Sequence, residues 1–245
     1  MEANNNRSLC GGLGMRTLQS GFSVALLMSV LLVGCGGGGG GGGSTPAAST
    51  GATPAYPITS AISAYGQANH EYNLSSASGG NTYTMQFSFT PGAQSTFQGQ
   101  LASTVLESLI LSENGAVILT TSGTSYFIDS PYTNLGYVSN TGVTEVASGQ
   151  QPLPASATVG QSGPYDTVTV YTGGTGTAVA STIAEIWSLQ AATATTAWAC
   201  LNGSEVFTNG SPTVGIASCY EIDTSGNVSA FKLTLSVNGQ SLTFQ

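Results

Sequence analysis

Positive charge is almost missing from this chain: three Lys and Arg and one His stand against eleven acids, and only 6% of positions carry a charge. So few bases cannot neutralise a run of phosphates, which excludes nucleic acid as a partner. Anionic lipid headgroups would repel the chain for the same reason. With His70 the single histidine, no His-Glu-x-x-His zinc motif exists, and no Gly-x-x-x-x-Gly-Lys phosphate loop occurs either. Gly160-Gln161-Ser162-Gly163 only approaches a nucleophile elbow and has no histidine near it in sequence. Asp223-Thr224-Ser225-Gly226-Asn227 is rich in oxygen, yet it lacks the repeated Asp and distal Glu of a calcium loop and reads as a hairpin turn. No cofactor and no metal are expected.

What is present begins with an address. Gly21 to Gly34 is almost wholly apolar and uncharged, too short to span a bilayer at about 20 residues, with Arg7 and Arg16 ahead of it. That is the pattern of a secretory signal peptide over residues 1–34. Met15-Arg16 would open a more ordinary, shorter signal, and residues 1–14 are then a misplaced start, which N-terminal mapping of the precursor tests. The run Leu32-Val33-Gly34-Cys35 resembles the lipobox of bacterial lipoproteins. The resemblance implies that Cys35 is acylated with palmitate-type chains and becomes the first mature residue. Several such chains anchor a protein stably, at about 0.8 kcal/mol per buried methylene. By the same resemblance, Gly36 rather than Asp in the second mature position directs the protein to the outer membrane, on its periplasmic or its cell-surface face.

Gly36 to Gly43 and the Ser, Thr, Pro and Ala that follow offer no side chains for a core. Residues 35–56 therefore read as the lipidated cysteine and a flexible tether, with a reach of roughly 25 Å. Asn134-Leu135-Gly136-Tyr137 and Leu153 to Gly160 are similar to segments of uncharacterised proteobacterial lipoproteins that also carry polyglycine after the lipobox. That resemblance implies no activity.

Without the signal, the chain keeps one base, Lys232, against ten acids, a net charge of −9. Its solubility must rest on Ser, Thr, Asn, Gln and Gly. Residues 57–245 form a length suited to one domain with a substantial core, and their Thr, Val, Tyr and Phe favour strands. Cys10 leaves with the presequence and Cys35 takes the lipid, so Cys200 and Cys219 should pair in an oxidising compartment.

Thr82 to Thr90 alternates Tyr83, Met85, Phe87 and Phe89 with polar residues, as a half-buried strand does. Further strands are expected at Leu101–Leu111, Val117–Thr121, Thr124–Asp129, Tyr165–Thr172, Val179–Leu189, Ala197–Leu201, Ala217–Ile222 and Val228–Val237. Turn signals separate them, among them Asn114-Gly115, Ser122-Gly123, Gly173-Gly174 and Asn238-Gly239. Long helices have no support after Cys35. Leu101–Leu111 also resembles Val179–Leu189 at a spacing of 78, and Tyr126–Ser130 resembles Tyr220–Thr224 at a spacing of 94. This reads as a duplicated β-meander. The 16-residue difference falls on an excursion through Asn202-Gly203 and Asn209-Gly210-Ser211-Pro212, which the disulfide would close at its base. The expected fold is all-β: an antiparallel β-sandwich or partly open barrel of about ten strands.

Strand parity sets Glu107 among Leu101, Val105, Leu109 and Leu111, and Glu185 among Val179, Ile183, Trp187 and Leu189. Carboxylates on apolar faces are costly unless paired, hydrogen-bonded or protonated. If the repeats face each other, the two acids line one cleft, as the acid and base of a glycoside hydrolase do; a β-bulge that shifts the parity is the plain alternative. Trp187 and Trp198 flank one hairpin, and Tyr132, Tyr137, Tyr165 and Tyr171 lie near turns, as sugar platforms often do, although most large aromatics in β-domains are core. His70 alternates like a strand residue. Three classes remain open: a binding or structural module for a glycan or other ligand, a carrier of hydrophobic cargo, and an enzyme using Glu107 and Glu185. The binding module is preferred because conventional catalytic groups are missing.

Overall fold

The computed structural model describes residues 53–172 and 178–245. The signal, Cys35 with its lipobox, the polyglycine and the Gly173-Gly174 turn lie outside the described residues. The described chain opens with β1 (Ala55–Tyr56) and α1 (Ile58–Tyr65), then runs through β2 (His70–Ser78), β3 (Asn81–Phe97), β4 (Gln100–Glu113), β5 (Ala116–Asp129), β6 (Tyr132–Ser139) and β7 (Thr144–Ser148). It continues as β8 (Ala157–Thr158), β9 (Ser162–Thr172), β10 (Ala178–Ala191), β11 (Thr196–Phe207), β12 (Val214–Asp223), β13 (Val228–Val237) and β14 (Gln240–Phe244). β1 pairs with β8, so Ala55 and Tyr56 belong to the fold rather than to the 35–56 tether.

All strands but β1 and β8 form one antiparallel sheet of twelve strands, in chain order from β2 to β14. The first and last strands meet where Ser75 and Gln245 exchange backbone hydrogen bonds of 3.2 and 3.3 Å. The sheet is therefore an up-and-down barrel, nearly closed, which is how a long meander avoids open edges. Alternation follows from the pleat: Tyr83, Met85 and Phe89 of β3 point into the lumen, while Thr82, Thr84, Gln86 and Thr90 are exposed on the outside. On the outer wall of β13 and β14, Thr234 bonds Thr243 and Ser236 bonds Ser241. A Ser/Thr exterior thus keeps an almost uncharged barrel wet.

One end of the lumen is filled by apolar side chains from Met85, Leu111, Leu235 and Phe244. The other end is stopped by α1, whose Ile58, Ala61, Ile62 and Tyr65 recur at helical spacing and are buried. They meet Leu153, Tyr165, Leu189 and Ile222 of the wall. Thr59 Oγ1 donates to the carbonyls of Leu153 and Pro154, both at 2.9 Å, which pins the helix to the segment before β8. Eight residues are too few for a helix to form without such packing.

Two expected turns are not turns. Val117–Thr121 and Thr124–Asp129 are one strand, β5, with Ser122-Gly123 in its middle. Asn202-Gly203 likewise lies within β11, so the expected excursion is mostly strand, and the chain reverses only around Asn209-Gly210. The disulfide forms between Cys200 and Cys219, directly opposite each other in the β11–β12 ladder. It is a rung partway along a hairpin and not the base of a loop. With the cysteines 19 positions apart in sequence, the crosslink stabilises by about 3 kcal/mol in the chain-entropy model. Reduction, or Cys200→Ser, is expected to lower the urea unfolding free energy by about that amount and to leave the strand signature in circular dichroism intact.

The similar segments Leu101–Leu111 and Val179–Leu189 fall on β4 and β10, and Tyr126–Ser130 and Tyr220–Thr224 fall at the ends of β5 and β12. The first pair stands five places apart in the sheet and the second six. Near the start of β4, opposite a bulge in β3 between Gly92 and Ser95, the parity is the reverse of that expected: Leu101 is exposed while Ala102 and Thr104 are buried. From Val105 onward the expected parity holds, and Glu107 does face the lumen with Val105, Leu109 and Leu111.

Candidate functional site

Glu107 and Glu185 occupy equivalent places in their hairpins. Each points inward from the first strand, and each has a glycine directly across the ladder: Gly123 opposite Glu107, and Gly203 opposite Glu185. Neither glycine has room for a side chain. A Cβ at Gly123 would collide with the ring of Tyr137, and one at Gly203 would stand 2.9 Å from Ile183 and 3.6 Å from Glu185 Oε1. The glycines therefore widen the lumen beside the two carboxyls.

Two cavities occupy the middle of the barrel. The first, about 210 Å³, is bordered by Phe87, Glu107, Leu109, Tyr137, Val143 and Glu145. The second, about 180 Å³, lies under α1 and is bordered by Tyr65, Phe89, Glu107, Tyr132, Tyr165, Glu185 and Tyr220. Both are lined by Glu107, Ser125 and Asn134, so they adjoin as one chamber. Glu107 and Glu185 are thereby brought to a common space, and the ionisation of Tyr132 is opposed by burial first and then by both carboxylates.

The chamber is more acidic than the sequence suggested. Besides the expected pair, Glu145, Asp166 and Glu205 point inward, from β7, β9 and β11. Burial pushes the Glu107 carboxyl up, countered by the hydroxyl of Ser125, which donates to Oε1. Glu145 is pushed up to about 7 by burial and then by the charges of Glu205 and Glu107. Glu185 is raised well above the carboxylate range by burial and by Asp166 beside it. Asp166 is raised by burial, countered by Glu185 and by Asn134, whose Nδ2 donates a 3.1 Å bond to Oδ2, while Oδ1 has no donor. Glu205 is fully buried; Ser181 donates to Oε1 and Oε2 has no partner.

No base answers these acids. The single Lys or Arg of the described residues, Lys232, sits on the outer wall with Nζ 4.1 Å from the centre of the Trp198 ring. His70 stacks on Tyr65 with ring centres 3.9 Å apart, and its Nε2 lies 2.9 Å from the Tyr65 carbonyl, so it braces the end of α1. The described residues contain no group of three His, Cys, Asp or Glu able to hold a metal ion.

No protein-family model matches this chain, and no curated protein and no solved structure matches it. The chamber has to be read from its own chemistry.

The remaining aromatics separate by face. Trp187 and Trp198 do flank the β10–β11 hairpin, but Trp187 packs inward beside Tyr165 and Leu189 while Trp198 faces outward, so they form no shared platform. Tyr132, Tyr137 and Tyr165 point into the lumen, and Tyr171 faces outward opposite Val179. Glu145 and Glu205 escaped the sequence reading because β7 is only five residues long and β11 was broken at Asn202-Gly203. The signal that could have found all of them is the mismatch between ten acids and one base in a chain that must bury one face of most of its strands.

Proposed function

We propose that the protein is a lipid-anchored envelope binding protein whose ligand site is the barrel lumen. The observation behind this reading is the adjoining pair of cavities at Glu107, Ser125 and Asn134, left open in the middle of a barrel whose two ends are filled. Interiors are normally close-packed, and a concave apolar space with a few convergent polar groups is the usual form of a small-molecule site. The exposed Thr and Ser of the outer wall suit a barrel standing in water, because a membrane barrel carries an apolar band there. A signal and the lipobox Cys35 ahead of a glycine tether would hold such a domain at the outer membrane.

Carriage of acyl chains fits the chamber less well, since methylenes would be set against carboxyls that no base neutralises. Acid–base chemistry on a glycan remains the second reading. It is favoured only by Glu107 and Glu185 facing one space, and turnover lost in both Gln variants would establish it.

Native mass spectrometry of the protein purified from its own envelope is expected to show a small mass retained by the folded form and released on unfolding. No retained mass, together with no shift in melting temperature across a small-molecule library, would sink the lumen reading.

A further inference from the structure

The lumen reading fixes where a ligand sits, and the groups along the chamber say what kind it is. Glu145 stands in the first cavity, Glu107 where the two adjoin and Glu185 in the second. On one side of Glu107 the wall is mainly apolar, with Phe87, Leu109 and Val143, and on the other Phe89 stands among the tyrosines. Among the described residues, Asp166 Oδ1, Glu205 Oε2, the hydroxyls of Tyr65 and Tyr165, and both side-chain amide atoms of Gln150 are buried without a hydrogen-bond partner; Asp166 and Glu205 stand behind the cavity walls. Both tyrosines border the second cavity. Buried polar atoms are almost always satisfied, and Lys232, on the outer wall, cannot supply the missing donors.

Resting on the lumen reading, we infer that the chamber takes a linear diammonium ligand, an unbranched alkyl diamine or short polyamine. Its ammonium groups lie at the carboxyls and its methylenes lie against the aromatic and aliphatic walls. An ammonium group brings three N–H donors and no acceptor, which is the complement of the carboxyls of Glu107, Glu145 and Glu185 and of the unpaired Tyr65 and Tyr165 hydroxyls that border the chamber. A buried carboxylate without a counter-charge is costly, and a ligand cation removes that cost in the chamber itself. Phenol and phenyl faces add cation–π attraction, strongest where water is excluded. A quaternary ammonium would bring charge without N–H donors, and a neutral lipid or diol would leave the carboxyls unpaired. Cavities of about 210 and 180 Å³ suit a short unbranched chain rather than a lipid tail.

Isothermal titration calorimetry on the full-length protein in non-ionic detergent, near neutral pH, decides this with three probes: pentanediamine, pentylamine and pentanediol. The diamine is expected to bind at least about tenfold more tightly than the monoamine, and the diol not measurably. Glu107→Gln and Glu185→Gln, close in shape and relieved of a buried charge, should each weaken the diamine by about tenfold or more. Glu71→Gln, on the exposed outer side of β2, should leave it unchanged. Melting curves of the ligand-free variants show that they are folded. Equal binding of diol and diamine would overturn the cation assignment while leaving the lumen reading in place. Diamine binding that Glu71→Gln weakens as much as Glu107→Gln would also overturn it, as surface charge attraction. No diamine binding overturns the inference outright, and the lumen reading then stands or falls on the retained mass alone.

Discussion

Raising the pH from 5 to 8 is expected to destabilise the barrel by several kcal/mol, the reverse of the behaviour of a protein stabilised by ion pairs. Glu107, Glu145, Asp166, Glu185 and Glu205 face the lumen, and every one of their carboxyls is raised, with burial the first cause. Between the ordinary carboxyl value and the raised one, the folded protein holds protons that the unfolded chain has released, so the unfolding free energy falls as pH climbs. Below the ordinary value both states are protonated and the penalty vanishes. For Glu145 the window runs from 4.5 to about 7, which corresponds to about 3 kcal/mol lost by pH 8. The groups facing these acids do not offset the trend. Lys232 is outside the lumen, and the lumen tyrosines, held above their ordinary range, stay neutral in both states below about pH 9. Glu145→Gln should therefore matter little at pH 5 and stabilise by about 3 kcal/mol at pH 8. Urea unfolding across this range checks both statements. A stability maximum near pH 8, or a Gln variant with an unchanged profile, would refute them.

The second large effect is expected at Gly136. Its φ of +144° is closed to other residues, and a Cβ there would overlap the Glu145 carbonyl and approach the Phe97 ring to 3.0 Å. Gly136 pairs with Val146 and borders the first cavity, so Glu145 reaches the lumen only if β6 and β7 stay in contact here. Gly136→Ala adds backbone strain to a collision with main chain that cannot rotate away, and is expected to cost about 4 kcal/mol or more. Gly149→Ala is the comparison: its φ is also positive, at +64°, but nothing lies within 4 Å of the added atom, so about 1 kcal/mol is expected. Paired urea titrations measure the difference. Equal losses at the two sites would show that the β6–β7 contact does not govern this wall.

Much of the wall was legible in the sequence, because a two-residue period survives wherever one face is buried and the other is wet. Val228–Val237 is a strand with its expected limits, while Thr82–Thr90 and Tyr165–Thr172 are parts of longer strands, Asn81–Phe97 and Ser162–Thr172. Where the signal failed, the residue concerned had two readings. Gly123 and Gly203 look like turn residues, yet they sit in mid-strand because the Tyr137 ring and the Ile183 side chain take the space that a Cβ would need. α1 escaped because two helical turns with four apolar residues have no meaning until a lumen exists for them to stop.

The sequence by itself determined an all-β domain, a Cys200–Cys219 pair and an acidic chain with almost no base, since pattern, thiol count and charge are local or additive. It also set Glu107 and Glu185 on apolar faces. Only the tertiary structure decided that those faces curl into a barrel nearly closed at Ser75 and Gln245, and that Glu145, Asp166 and Glu205 arrive in the same lumen from strands far apart in sequence. Closure turns isolated misplaced acids into one chamber, because a carboxyl's surroundings are set by the strands opposite it and not by its neighbours along the chain.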